Sequence, residues 1–291
     1  MDLSQHPDSA AWGHLVRRTP LVRRLLAHNP SPFTFTGTGT FVVGNGTVAV
    51  IDPGPADPAH IAALIESLKG ETVSHIVITH THMDHSPAAP ALQAATGAII
   101  VGCEPLVLSD DGPRADAGFD PSYAPDRVLI EGESIAGPGW TLTALATPGH
   151  TSNHLCYALA EEKALFTGDH VMGWSTTVVA PPDGDMADYI ASLKKLLGRD
   201  DEIYHPTHGE PVTDPQRFVR GLITHRKQRE NQILKLLADG PQTIPAMVEV
   251  MYAMVDKRLH PAAGRSVLAH LIDLRVRGEV RDAGADWQLS A

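Results

Sequence analysis

Apolar and polar positions change their spacing several times along this chain. Residues 1–30 are mostly polar, and the apolar positions over 15–27 are spaced for one short helix. From residue 34 the spacing turns strand-like. Thr34-Phe-Thr, Thr40-Phe-Val-Val and Thr47-Val-Ala-Val-Ile51 are β-branched or aromatic runs separated by glycines. Gly37, Gly39, Gly44 and Gly46 read as hairpin turns, not as a phosphate loop, since no helical pattern follows them. Asp52-Pro-Gly ends the third run. Over 60–69, Ile61, Leu64, Ile65 and Leu68 share one helical face and Gly70 stops it. A short buried strand is expected over 75–79, a helix over 90–96 and a strand over 98–101. Residues 104–127 lack periodicity and read as a long loop. Short strands follow over 128–130, 140–146, 154–159 and 164–167, then a helix over 186–197 and a last strand at 203–204. Strands in two groups, each followed by helices, predict an α/β (α+β) chain of two packed sheets covered by helices.

The pattern shifts again near residue 215. Three helices are expected over 218–238, 244–255 and 266–277, then strand, glycine turn and strand over 278–289. That outline is a winged helix, so the chain divides into domains 1–214 and 215–291. Length supports the division, because 291 residues suit one large domain or two moderate ones.

Composition changes the picture little. Hydrophobic residues make up 43% and charged residues 20%, as in an ordinary globular protein. The net charge of −11 argues against a surface devoted to nucleic acid, although 12 Lys/Arg face 8 Asp/Glu from Pro215 onward. Cys103 and Cys156 stand in no ligand spacing and read as buried free thiols of a reducing compartment. No segment reads as a signal peptide or approaches the roughly 20 apolar residues of a membrane span. A cytoplasmic location and no membrane partner are therefore expected.

The candidate chemistry lies in Thr79-His80-Thr81-His82-Met83-Asp84-His85, directly after a buried strand. Four ligand-type side chains fall within six residues, and imidazole and carboxylate are the donors that zinc and similar divalent metals take. Core packing explains such a cluster poorly, since burying four unpaired polar groups is costly. His150 after Thr147-Pro-Gly, Asp169 after Phe166-Thr-Gly and His208 after His205-Pro-Thr each follow a strand in the same way. They belong along one sheet edge. No GxSxG segment is present.

In its order and spacing this set resembles the metallo-β-lactamase superfamily over about residues 35–212, with Asp52 as the first motif. The resemblance implies an αββα sandwich with the site at one edge of the two sheets. It assigns His80, His82 and His150 to one metal, Asp84, His85 and His208 to a second, and Asp169 to both. Asp52 would orient a ligand imidazole from behind. Two divalent ions are implied, with zinc expected and manganese or iron(II) the other metals this donor set accepts. Such a pair generates a bridging hydroxide near neutral pH and polarises the oxygen under attack, and Asp84 is the expected proton-handling group.

Beyond the ligands, Thr147-Pro-Gly-His-Thr-Ser-Asn-His154, Thr167-Gly-Asp-His170 and the His225-Arg-x-x-Arg-Glu-x-Gln-Ile-Leu234 stretch resemble the β-lactamase-like protein 2 group, which carries a C-terminal winged-helix-like domain. The animal member resembled implies an endoribonuclease on single-stranded RNA. One departure stands out: that group is expected to have a cysteine after the shared aspartate, where this chain has His170, an added candidate behind the ligands. Tyr123, Ser152, Asn153, Ser175 and Thr176 are candidates for the substrate cleft. For an RNA substrate, Arg114, Arg127 and Tyr123 are the backbone- and base-contacting candidates, while the acidic residues Asp110, Asp111, Asp116 and Asp120 oppose a polyanion. The alternative substrate is a small acyl compound, taken by a thioesterase, lactonase or β-lactamase-like hydrolase. A DNA-binding regulator is the remaining reading. Its recognition helix would be 266–277, which has Arg275 and Arg277 but also Val267, Leu268, Leu271, Ile272 and Leu274 for packing. The C-terminal domain is instead expected to shape the cleft or a homodimer contact.

Overall fold

The structure, a computed structural model, describes residues 12–107 and 118–290. The first sheet has seven strands in sequence order: β1 (Leu15–Arg17), β2 (Val22–Leu26), β3 (Gly39–Asn45), β4 (Thr47–Ile51), β5 (Thr72–Ile78), β6 (Ile99–Gly102) and β7 (Arg127–Val128). It is antiparallel through β4 and parallel from β4 to β7. Helices α1 (Pro58–Ser67) and α2 (Ala89–Thr96) make the parallel crossovers. Asp57 caps α1 by accepting from the His60 N–H, with proline at its first position. The last residues of β5, Ile76-Val-Ile78, are apolar and buried on both faces, as a central parallel strand requires.

The second sheet runs β12-β11-β10-β9-β8. Its strands are β8 (Ser134–Gly137), β9 (Trp140–Ala146), β10 (Leu155–Leu159), β11 (Ala164–Gly168) and β12 (Ile203–Pro206), and α3 (Met186–Leu196) connects the last two. The sheets share one core, in which Phe41, Ile76 and Val77 meet Leu142, Tyr157 and Phe166. Two hydrogen bonds lock them together. Trp140 Nε1 donates to the Thr47 carbonyl at 2.9 Å, and the Tyr157 hydroxyl donates to the Ile78 carbonyl at 2.7 Å. The second bond fixes the strand end from which the histidine segment departs. Helix α3 covers the outer face of this sheet, placing Tyr189 and Leu193 against Cys156 and Leu165.

The C-terminal part comprises α4 (Pro215–Ala238), β13 (Gln242–Thr243), α5 (Ile244–Met251), α6 (His260–Val276), β14 (Val280–Ala283) and β15 (Asp286–Leu289). The three strands form a small sheet in the order β13-β15-β14. Its core joins Ile233, Leu237, Met247, Val267, Leu271 and Trp287. Helix α4 serves both parts: Val219 and Leu222 pack with Tyr189 and Leu193, while Ile233 and Leu237 enter the C-terminal core. The winged-helix outline and the αββα sandwich are both present.

Two local expectations fail, and one strand has no signal in the sequence. Residues 15–27 form the β1–β2 hairpin, not a helix, because Val22, Leu25 and Leu26 suit either spacing and β3 offers a strand edge to pair with. Thr34-Phe-Thr is a turn held by a single bridge between Ser31 and Phe35, with Phe35 at φ 56°. Strand β8 was not foreseen, since Ile135 is its only buried residue.

His270, on α6, is buried and neither ring nitrogen has a hydrogen-bond partner. Burial, reinforced by Arg226 and His225, lowers its pKa to about 3. The folded chain thus resists a proton that the unfolded chain accepts below about pH 6.5. Stability from this group is complete above that pH and is lost as pH falls toward 3. Between about pH 7 and pH 5 the loss is about 2 kcal/mol. Urea denaturation of the metal-stripped protein at both pH values should show His270→Leu losing about 2 kcal/mol less than wild type; an equal loss would refute the assignment.

Candidate metal centre

The ligand-type residues sit where strands of both sheets end. His80, His82, Asp84 and His85 follow β5, His150 follows β9, Asp169 follows β11 and His208 follows β12. Gly149 makes the His150 turn possible: at φ 134° it packs so closely on α3 that a Cβ there would lie 2.3 Å from the Tyr189 Cα. Gly168, at φ 49°, leaves no room for a side chain against His154 and Thr79.

Two groups of donors converge. His80, His82, His150 and Asp169 offer ligand atoms within 4.8 Å of one another, and so do Asp84, His85 and His208. His80 Nε2 lies 3.1 Å from His82 Nδ1, which lies 3.1 Å from His150 Nε2. Asp169 Oδ1 lies 3.6 Å from His85 Nε2 and 3.3 Å from His208 Nε2, and its Oδ2 lies 3.8 Å from His150 Nε2. Asp169 therefore stands between the groups. Asp84 Oδ2 is 3.5 Å from His85 Nε2 and 3.3 Å from His208 Nε2.

Hydrogen bonds behind the rings decide which nitrogen faces inward. Asp52 Oδ1 accepts from the Thr79 N–H, and Oδ2 accepts from the Thr79 hydroxyl at 2.7 Å and from His85 Nδ1 at 2.9 Å. With its proton given to Asp52, the Thr79 hydroxyl accepts from His80 Nδ1 at 3.0 Å. His150 Nδ1 donates to the Val178 carbonyl at 2.7 Å and His208 Nδ1 to the Gly37 carbonyl at 3.2 Å. His80, His85, His150 and His208 thus direct Nδ1 outward and turn Nε2 into the site, while His82 presents Nδ1 to it.

Such an arrangement is unfavourable unless a cation occupies it. His85 Nε2 and Asp169 Oδ1 are buried without a hydrogen-bond partner, which costs about 1–3 kcal/mol for each group. His80 Nε2 and His150 Nε2 both approach His82 Nδ1, which can supply at most one proton between them. This donor set and its orphaned atoms fit divalent metal ions.

Without metal, charge is balanced by protons. Burial alone would lower the pKa of His208, but Asp169 and Asp84 overcome it and raise it to about 10. His85 is likewise raised, against burial, by Asp84, Asp169 and Asp52. Burial and the neighbouring imidazoles of His85 and His82 push His80 well down.

Some participants were not visible in the sequence reading. Thr38 donates to Asp84 Oδ2 at 2.7 Å and is itself held by Asn29, whose side-chain oxygen accepts the Thr38 N–H and whose amide donates to its hydroxyl. His154 Nε2 accepts from the Asp169 N–H at 3.2 Å, while its Nδ1 donates to Thr147. Only proximity to other motif residues hinted at His154, and nothing marked Thr38.

His170 does not touch the ligands through its ring. The ring packs edge-on against Tyr189 near His154, its nitrogens have no partner, and burial lowers its pKa to about 3. Among the cleft candidates, Ser175 and Thr176 line the cavity beside the ligands. Tyr123 does not. It is buried in the core with its hydroxyl on the Cys103 carbonyl, because its ring packs better there than at a wet rim. Ser152 is exposed with its N–H on Asp183, and Asn153 donates to the Glu104 carbonyl, so neither lines the cavity. Arg127 is engaged by Glu133 away from the site. Asp120 accepts from Ser86 and Ser122 as an internal brace. Arg114, Asp110, Asp111 and Asp116 lie outside the described residues.

A two-sheet sandwich with a His/Asp cluster at its edge, every ligand donor at a strand end, defines a metal-dependent hydrolase. The chain belongs to the metallo-β-lactamase superfamily, whose pattern it matches over residues 34–208; residues 243–287 match the β-lactamase-associated winged helix domain. It is 32% identical over 281 residues to the β-lactamase-like protein 2 homolog of Drosophila melanogaster, covering 92% of each chain. It is 31% identical over 252 residues to the atrochrysone carboxyl ACP thioesterase of Aspergillus fumigatus, covering 80% of this chain and 74% of that one. The crystal structure of a β-lactamase domain protein from Burkholderia ambifaria shares the fold with a TM-score of 0.80 at 21% identity, over 96% of this chain and 94% of that one. No helix among the described residues is long and apolar enough to cross a membrane.

Asp52→Asn keeps the shape but places an amide where the carboxylate accepts from Thr79 and His85. Loss of such a partner behind a ligand costs about 10–100-fold in metal affinity. Competition titration against a chromogenic chelator should register that loss; unchanged affinity would mean that Asp52 does not orient the ligands.

Proposed function

We propose that this protein hydrolyses an activated acyl compound, a thioester in the first instance, at a centre of two divalent ions. The observation that carries the reading is the shape of the space in front of the ligands. A cavity of about 360 Å³ begins at His82, Asp84, His150, Asp169 and His208 and ends against the C-terminal domain. That volume suits a small molecule. Its walls beyond the ligands include Phe33, Met172, Trp174, Val178, Val255 and Leu259, which suit an acyl chain better than a phosphodiester backbone.

Single-stranded RNA is the second reading, and the structure removes two of its supports. Tyr123 is in the core and Arg127 is paired elsewhere. The thioesterase among the relatives supports the acyl reading; the resemblance to the β-lactamase-like protein 2 group supports RNA.

The residues divide the work as follows. His80, His82 and His150 would hold one ion, Asp84, His85 and His208 the other, with Asp169 between them. Bound there, two divalent ions lower the pKa of water toward neutrality and polarise a carbonyl oxygen. Zinc is the expected metal, since neutral imidazoles dominate the donor set. Thr38 holds Asp84 at the cavity wall, where its carboxylate can take the proton released in hydrolysis. Val178 and Asp52 keep His150 and His85 in the donor-inward tautomer.

Metal-loaded protein should be offered acyl thioesters, lactones, nitrocefin and single-stranded RNA. Thioester cleavage is expected, abolished by a chelator, restored by zinc or manganese, and reduced at least about 10³-fold by His82→Ala. RNA cleavage lost in His82→Ala, with thioesters untouched, would reverse the order of the two readings.

A further inference from the structure

The far end of the cavity carries a feature that ester hydrolysis alone does not use. Helix α4 turns Arg226 and Arg229, three residues apart on one face, into the cavity beside His225. Arg226 is only 3% exposed. Among the described residues its polar contacts are a hydrogen bond from Nη2 to the Thr177 carbonyl and the face of the Tyr189 ring, 5.0 Å away; its Nε has no hydrogen-bond partner. Arg229 Nη1 donates to the Gln232 side chain and the Met251 carbonyl, each at 3.0 Å, its guanidinium lies 4.4 Å over the Tyr252 ring, and its buried Nε is also unpaired. Neither arginine has a carboxylate partner among the described residues. The adjacent acid, Glu230, is taken by Lys227 and Arg277.

A guanidinium offers five donors and stays charged at any ordinary pH. Burying one with a single hydrogen bond and no counter-charge is costly. Among the described residues, the carboxylates lining the cavity are Asp84 and Asp169, both at the metal end. The cavity is therefore polarised, with the His/Asp cluster at one end, apolar walls between, and two guanidinium groups without a carboxylate partner among the described residues at the other. His225 adds no opposing charge: burial, helped by Arg226 and Arg229, lowers its pKa to about 4.

The geometry points to an oxyanion subsite formed by Arg226 and Arg229, which selects acyl substrates carrying a carboxylate or phosphate at the end remote from the bond cleaved. The inference rests on the acyl-hydrolase reading for its substrate class, although anion binding itself does not require it. It also gives the C-terminal domain a part in specificity and absorbs the His225-Arg-x-x-Arg stretch into the site.

Two sources of the anion are distinguished by matched substrates. Glutaryl against pentanoyl N-acetylcysteamine thioester tests a carboxylate on the acyl group; pentanoyl-coenzyme A against pentanoyl N-acetylcysteamine thioester tests a phosphate on the leaving thiol. One anionic member should exceed its neutral match by about 10-fold or more in kcat/KM, an ordinary value for a charged hydrogen bond. Arg229→Gln should erase that preference through KM, and Arg229→Lys should restore part of it. Independently of catalysis, metal-stripped wild type should bind glutarate or inorganic phosphate by calorimetry, and Arg229→Gln should bind neither measurably. Anion binding without thioester cleavage would fail the acyl reading and leave the subsite standing. Equal treatment of anionic and neutral substrates together with no anion binding, or binding unchanged in Arg229→Gln, would overturn the subsite.

Discussion

The metal-binding edge depends on how one buried carboxylate is satisfied. Asp52 stands at the end of β4 with φ 46°, a conformation that costs a non-glycine residue of order 1 kcal/mol. In that pose it accepts the Thr79 N–H, the Thr79 hydroxyl and His85 Nδ1. The last bond sets the tautomer of a ligand in one group. The hydroxyl bond sets the tautomer of His80 in the other, because a hydroxyl that donates to Asp52 can only accept from His80. A single side chain thus aims a lone pair into each half of the centre. It can do so only because β4 and β5 run parallel with their ends side by side, Ile51 against Val77.

That arrangement conflicts with stability in the metal-free chain. His80, His82 and His150 crowd one another, and Asp84 and Asp169 are offset only by protons on His85 and His208, so local relaxation would relieve the site. What prevents it is the rigidity of the elements behind. The Tyr157 hydroxyl on the Ile78 carbonyl fixes the β5 end, and Gly149 lets the His150 turn lie directly on α3. Preorganisation of this kind gives tight, geometry-selective metal binding, since the ligands need not reorganise on binding.

Sequence patterns made the ligands legible because chemistry restricts them to a few residue types at strand ends, and strands announce themselves by apolar runs. The αββα order was readable for the same reason. What escaped was set by pairing across long separations. Val22, Leu25 and Leu26 suit a helix or a strand, and only the free edge of β3 decides. Thr38 lies 46 residues from the carboxylate it holds, and its small polar side chain carries no periodic signal. Tyr123 misled in the opposite direction: an aromatic residue in a polar loop suggests a binding surface, yet its ring completes the core. His170 sits in a motif position but faces Tyr189, showing that adjacency to a ligand in sequence does not imply contact with one.

The C-terminal helices are joined to the centre by a short chain of backbone contacts. Arg226 donates to the Thr177 carbonyl, the Thr177 hydroxyl donates to the Asp169 carbonyl, and the next carbonyl, of Val178, holds His150 Nδ1. Two consecutive residues, Thr177 and Val178, therefore touch Asp169, His150 and the helix that lines the far end of the cavity. An anion drawing on the Arg226 guanidinium would compete with its bond to Thr177, and so act on the segment that orients His150. On the proposed subsite, anion recognition at one end and the orientation of His150 at the other would be coupled. Helix α4 of the C-terminal part thus both lines the cavity and is tied, through Arg226 and the Thr177-Val178 backbone, to the surroundings of Asp169 and His150.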